Sequence, residues 1–361
     1  MADYIDVGLK DSFYNFTFLC KLRPGEFEKL FHKYKKSRDL SGVGIRVFIE
    51  NCETISPLYI SEIDSIFFEN CSQIPAQLLS ENEAEQRVDE VYFLELQTDS
   101  LGNGAILPKN AIGLPTVSNL TGKGNHIGVA DSGIEIDCGK FENYFDFSQG
   151  KFTDNHGKKV LDVLFNGNFA IAPTGKFYVA NLVENPSAAA VIIGAVWLGK
   201  NGAKLINVSQ QLGMNAAKTV PLSVEALAHY CTSELGCLLV AATGNRINPY
   251  CSALAQIDSV LSVSAVRLNG SLECDLRSPF KVDCVSLGEG VYASGNLQVF
   301  AGASAATALV TGAVALILEA RQTSILKVKH ELKEKHCNAM VKNDLQWGAG
   351  VVSLKNIGEM S

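Results

Sequence analysis

"FAGASAATALVTGAVALIL", residues 300–318, runs without a charged side chain and decides what kind of molecule this is. Its length is close to that of a segment spanning about 30 Å of hydrocarbon. Yet Ser304, Thr307 and Thr311 dilute it, and no aromatic or basic residues anchor its ends. A helix buried on all sides at the centre of a soluble protein reads the same way. The Gly-Ala-Ser turn that opens it adds a third possibility, a helix whose first turn carries chemistry.

Working outward, short apolar runs precede this stretch at regular intervals: "HIGVADSG", "KFYVANLV", "AKLINVSQ", "CLLVAATGN" and "VLSVSAVR". Helix-period stretches separate them, among them "HGKKVLDVLFN", "NPSAAAVIIGAVWLG" and "SVEALAHYCTSEL". Continuous Val, Ile, Leu and Ala strands alternating with helices imply a parallel sheet covered on both faces, an α/β class. Before residue 100 the pattern differs. Strand-like runs ("FYNFTFLCKL", "GVGIRVFIE", "DEVYFLELQ") are interspersed with two helix-like segments, residues 25–38 and 74–88. That predicts a small α+β domain over residues 1–98. Gly, Pro, Asn and Ser then mark 99–124 as a linker or the start of the next unit, and 125–361 as the main domain.

With 361 residues, 47% hydrophobic and 19% charged, the chain can bury a sizeable core. A formal charge of −7 argues against nucleic acid or an anionic membrane as partner. The basic run "KYKKSR" around Lys33–Arg38 reads as a solvated face. The N-terminus has neither a basic start nor an apolar core, so no export signal is expected. The ten cysteines include no C-x-x-C pair, which suggests reduced thiols and a cytoplasmic location. "GKGNHIG" at 122–128 imitates a phosphate loop but precedes its strand, so the helix N-terminus that phosphate requires is missing. Cys251 lacks a His or Asn pairing signature and reads as a structural thiol.

In open parallel sheets reactive groups gather at the carboxyl ends of the strands. There stand Asp131 after "HIGVA" and Asn245 after "CLLVAATG"; His156 comes just before a helix and Ser304 starts another. An acid, an imidazole, an amide and a hydroxyl on one side of one sheet are the set that acyl transfer requires.

These residues, in this order, resemble the subtilisin-like serine proteases, or subtilases. "IGVADSGI" (127–134) is similar to the strand bearing the family's triad aspartate, and "NHGKKVLDVL" (155–164) to its histidine helix. "GAKLINVSQQLG" (202–213), "VAATGN" (240–245) and "SVLSVSAV" (259–266) resemble its substrate-flanking and oxyanion strands. "AGASAATALVTGAVALIL" (301–318) resembles the nucleophile helix, and "WGAGVVSL" (347–354) a frequent ending. The resemblance implies a three-layer subtilisin-like fold with a mostly parallel central sheet, and a serine endopeptidase with no cofactor. Asp131, His156 and Ser304 would form the catalytic triad. Asn245 would supply an oxyanion donor, and Ser209, Gln210, Gln211, Ala241, Ala242, Thr243 and Gly244 would flank an extended protein or peptide substrate.

The sequence also departs from that family. Ala303, Ala305 and Ala308 replace the usual Thr, Met and Pro around the nucleophile, and Lys158-Lys159 replaces Thr-His beside the histidine. Gln210 and Gln211 stand where Leu-Gly usually lines the first specificity pocket, which would narrow it or add a polar contact. "LFNGNFAIAP" (164–173) has no room for the calcium loop many subtilases carry, so no metal is expected. Residues 1–98 resemble a subtilase propeptide in position, size and layout, implying a precursor inhibited by its own N-terminal domain. A retained accessory domain is the other reading. Two further functions stand beside the protease: a catalytically silent peptide-binding protein, and a peptide ligase or macrocyclase on the same fold.

Overall fold

The computed structural model describes residues 106–358, apart from 137–139, 149–153, 167–168, 183–187, 214–218, 246–250, 268, 273–280, 295–297 and 339–345. Of the N-terminal region it describes residues 4–6, 17–21, 35–38, 45–48, 58–69, 73–75 and 87–91.

The main sheet is built from β1 (His126–Ser132), β2 (Asn143–Asp146), β3 (Lys176–Leu182), β4 (Leu205–Val208), β5 (Leu238–Ala242), β6 (Leu261–Val266), β7 (Cys284–Leu287), β8 (Cys337–Asn338) and β9 (Val351–Val352). Their spatial order is β2-β3-β1-β4-β5-β6-β7-β9-β8. Every neighbouring pair is parallel except β8–β9. Five helices cover it: α1 (His156–Leu164), α2 (Ala188–Lys200), α3 (Leu222–His229), α4 (Gly302–Arg321) and α5 (Ile325–Lys335).

The strands are apolar on both faces, yet their side chains still alternate. Ala130, Ala180, Ile206, Val208, Leu239 and Ala241 face one core with α2 and α3. Ile127, Val129, Val179, Leu205, Val240 and Val263 face the other, with α1, α4 and α5. A period of two inside a continuous apolar run is what a doubly covered sheet demands. The architecture is therefore three-layered α/β, as the sequence predicts.

Helix α4 answers the opening question. From Gly302 to Ile317 every residue is buried, pressed against β5, β6 and β7 within the second core. By length and composition it could cross a membrane, but its apolar surface is already covered by protein. Its hydroxyls have internal tasks. Thr307 Oγ1 and Thr311 Oγ1 each donate to the carbonyl four residues back, at 2.7 and 2.8 Å, and Thr311 Oγ1 accepts from Asn207 Nδ2 of β4 at 3.0 Å. Such back-bonding lets hydroxyl residues sit dry inside a helix. Ala303, Ala305 and Ala308 are buried here too, and Ile171 lies so close to Gly312 that an added Cβ would meet it at 2.7 Å. Small residues are what allow α4 to sit this near its neighbours.

The described part of the 99–124 stretch is packed rather than loose. Ile112 is fully buried and its carbonyl accepts from Leu354 N at 2.7 Å. Glu319 Oε2, near the end of α4, accepts the N–H groups of Thr121, Gly122 and Lys123 at 2.8, 2.7 and 3.3 Å.

The N-terminal region forms a six-stranded antiparallel sheet, in which Thr17–Lys21 lies between Ser65–Glu69 and the edge strand Arg87–Val91. Two local expectations change. Lys35–Arg38, the end of the first helix-like segment, is a strand paired with Ile45–Phe48. The second segment has strands at both ends, Gln73–Pro75 and Arg87–Val91. The remainder of both segments lies outside the described residues. In these short stretches sheet pairing overrides helical spacing, because cross-strand contacts outweigh local preference. Ile60 and Ile63 of this region are buried in the core shared by α2 and α3, and Glu62 pairs with Lys200 at the end of α2.

Candidate active site

The sheet winds outward in opposite senses from β1, with β3 on one side and β4 on the other. Loops leaving β1 and β4 therefore diverge and open a crevice at their carboxyl ends. Asp131 sits at the end of β1 and Ser209 directly after β4, both wholly buried.

His156 is the first residue of α1, and two glycines bring it to Asp131. Gly133 adopts φ +70°, and a Cβ there would fall 2.2 Å from Asp154 Oδ1. A Cβ on Gly157 would fall 2.5 Å from Ile134 Cγ1 and 2.6 Å from the Ser132 carbonyl oxygen. Without side chains at these positions, the turn after β1 and the start of α1 approach closely. Asp154 ties them further: its Oδ2 accepts from Ser132 Oγ at 2.9 Å and its Oδ1 from His156 N at 3.2 Å. The result is a His156 Nδ1–Asp131 Oδ1 contact of 2.7 Å.

The imidazole is held on another side by Phe300, ring centroids 5.4 Å apart and nearly perpendicular. Burial pushes the His156 pKa down. The Asp131 charge and hydrogen bond, with Asp154 adding to them, outweigh that and leave it above the ordinary 6.5. A buried carboxylate that favours the imidazolium suits a group that takes up a proton during reaction.

Ser304 lies in the first turn of α4, two residues after Gly302, whose φ of +84° bends the chain from the 298–300 strand into the helix. Gly302 N donates to Gly288 O at 2.8 Å and Ala303 N to Asn245 Oδ1 at 2.8 Å. With its oxygen committed to a helix amide, Asn245 presents its NH2 as the donor end. The Ser304 amide lies in the same first turn of the helix, at the positive end of its dipole. The Ser304 hydroxyl donates to the Ser209 carbonyl at 3.0 Å and makes no hydrogen bond to His156.

The two glutamines separate in role. Gln210 turns its amide to Asp131, Nε2 to Oδ1 at 2.7 Å. Gln211 is buried, and its amide lies against Gly244, where an added Cβ would meet it at 2.6 Å. The Gln211 side chain thus occupies the space beside Gly244. Ala241, Ala242, Thr243 and Gly244 are all buried along the opposite side. Lys158, expected beside the site, instead pairs with Asp162 on its own helix at 2.8 Å. One strand of connections now joins the groups: His156 to Asp131, Asp131 to Gln210, and the adjoining Ser209 carbonyl to Ser304.

The subtilase family model matches residues 122–348, well over half of the chain. The chain belongs to the subtilase family. A search of curated proteins gives no significant match. Among solved structures, the epidermin leader peptide processing serine protease of Staphylococcus aureus is similar at 15% identity, TM-score 0.67, over 96% of this chain and 100% of that one, in a serine-to-alanine variant. Fervidolysin from Fervidobacterium pennivorans, a keratinolytic enzyme related to subtilisin, is similar at 16% identity, TM-score 0.65, covering 98% of this chain and 62% of that one. At these identities the likeness is one of fold.

Three contributors to this subtilase site escaped the sequence reading. Phe300 stood only as the first residue of the uncharged stretch, and Asp154 was not singled out. Gln210 was assigned to substrate because its neighbours in the motif face substrate. The only available signal was that a polar residue directly following a buried strand needs a partner.

Proposed function

We propose that this subtilase is a serine endopeptidase that hydrolyses peptide bonds through Asp131, His156 and Ser304. The observation that carries it is the buried 2.7 Å Asp131–His156 bond at the sheet crevice, linked through residues 209–210 to a serine in the first turn of α4. In the working state the Ser304 hydroxyl leaves the Ser209 carbonyl and turns to the imidazole. His156 takes its proton as Oγ attacks the scissile carbonyl, then delivers it to the leaving amine. The Asn245 NH2 and the Ser304 amide receive the oxyanion. Water releases the acyl group by the same steps.

Substrate lies extended between residues 209–211 and 241–244, pairing with backbone at both edges. Because Gln211 fills the space beside Gly244, the residue bound there is small or hydrogen-bonds the amide. The N-terminal domain acts as a propeptide that restrains the site; Ile60 and Ile63 seated against the α2–α3 core support this. We place the protein in a reducing cytoplasm, a reading that the buried thiols Cys231, Cys237, Cys251 and Cys284 support.

A fluorophosphonate probe and intact-mass analysis, run on wild type beside Ser304→Ala, test the proposal. Wild type should label and process its N-terminus; the variant should do neither. Absence of labelling, even after limited proteolysis, overturns the protease reading. Stable full-length protein that binds peptides would then indicate a silent binding module. Cyclic or ligated products would indicate transfer to an amine rather than to water.

A further inference from the structure

We infer that Gln210 is a positioning residue of the Asp131–His156 pair, setting how strongly the carboxylate supports the imidazole. This rests on the proposed roles of Asp131 and His156. Three donors converge on one oxygen: His156 Nδ1 at 2.7 Å, Gln210 Nε2 at 2.7 Å and Ser132 N at 2.8 Å all reach Asp131 Oδ1. The other oxygen, Oδ2, has no partner among the described residues. Asp131 is fully buried and Gln210 is 4% exposed, so water does not screen the contact.

The chemistry follows from the shared atom. Each donor on Oδ1 stabilises the anion and draws charge from the lone pairs that the imidazolium needs. Gln210 is neutral and cannot titrate, so it weakens that support by a fixed amount at every pH. It also holds the carboxylate plane, since Ser132 N–H and the Gln210 amide fix Oδ1 from two elements, β1 and the segment after β4. A leucine at this position, as the family usually has, would do neither. The charged groups facing His156 are Asp131, Asp154 on the preceding loop and Lys159 on its own helix; of these, Gln210 bonds Asp131 alone, so its replacement acts through that carboxylate.

The test reads the pair directly and does not depend on turnover. In the Ser304→Ala protein, the His156 ring protons are titrated by NMR with Gln210 intact and in Gln210→Met, which keeps length and loses the donor. The His156 pKa should rise by about half to one unit, which in otherwise wild-type enzyme lowers activity below that pKa about three- to tenfold. An unchanged or lowered pKa overturns the inference. Should Gln210→Met not fold, the Gln210 side-chain amide protons of the unsubstituted glutamine protein supply the second reading. They should resonate downfield and shift as His156 titrates; indifference to that titration also overturns it. A protein that fails to label with fluorophosphonate but passes here loses its protease assignment, not this one.

Discussion

Two buried aspartates in this molecule have opposite surroundings. Asp131 receives neutral or titrating donors: an imidazole, an amide and a backbone N–H. Asp283, just before β7, is ringed by Lys281 at 2.8 Å, Lys329 at 2.9 Å and Lys333 at 3.0 Å, with Ser262 N at 2.9 Å. Burial alone would raise the Asp283 pKa, but the lysines and the amide bring it down to about 2. Burial in turn brings Lys281 down to about 8 despite the carboxylate beside it. A carboxylate ringed by three lysines stays ionised and serves as an anchor, here between β6, β7 and α5. A carboxylate left with one titratable partner can respond when that partner gains a proton. Surroundings, not residue type, separate anchor from reagent.

The sharpest way to break this contrast is Asp131→Asn. It should cut turnover by about 10⁴-fold, the usual result of fixing the wrong imidazole tautomer, while thermal unfolding barely moves. A large stability loss with modest kinetic loss would make Asp131 a second anchor. Next in size, Asn245→Ala should reduce kcat by about 10²–10³ with little change in KM, measured on a short peptide ester. Asp283→Asn should do the reverse, costing about 3 kcal/mol in denaturant unfolding because three lysines are left facing each other, with kcat unchanged.

The pH dependence separates the two aspartates as well. Asp283 has a folded pKa below its ordinary 3.8, so its contribution is present above that value and is lost as pH falls towards 2. In wild type that acid limb should amount to about 2 kcal/mol, and it should flatten in Asp283→Asn. For His156 the quantity and the window differ: with its raised pKa, kcat/KM climbs with pH through a value above 6.5. The smallest effect is expected from Lys158→Ala. Its ion pair with Asp162 is half open to water, and its loss should cost about 0.3–0.5 kcal/mol without altering kcat.

The same contrast explains what the sequence disclosed. Asp131, His156, Asn245 and Ser304 were legible because each falls where a strand ends or a helix starts, positions fixed by period and turn residues. The sheet was legible because continuous apolar strands admit few architectures. Asp283 was not, since its lysines come from two elements with no spacing rule between them and "DCVSLG" shows only an apolar strand. The bond from Gln210 to Asp131 was not legible, because a motif specifies which backbone lies beside substrate and not which way a flexible amide turns. The strand at Lys35–Arg38 was hidden for a related reason: its partner, Ile45–Phe48, and not its own composition, makes it a strand.

Helix α4 is also late in the chain. Strands β1, β4, β5, β6 and β7 are all synthesised before it, yet the second core closes only around its buried residues. In a chain that has emerged only as far as residue 300, the second core lacks α4 and α5, and β7 lacks its neighbour β9. Slow, long-range closure of that kind leaves apolar surface exposed to other chains in the meantime. The helix that carries Ser304 is therefore also the keystone of assembly: until it is laid, there is no finished core.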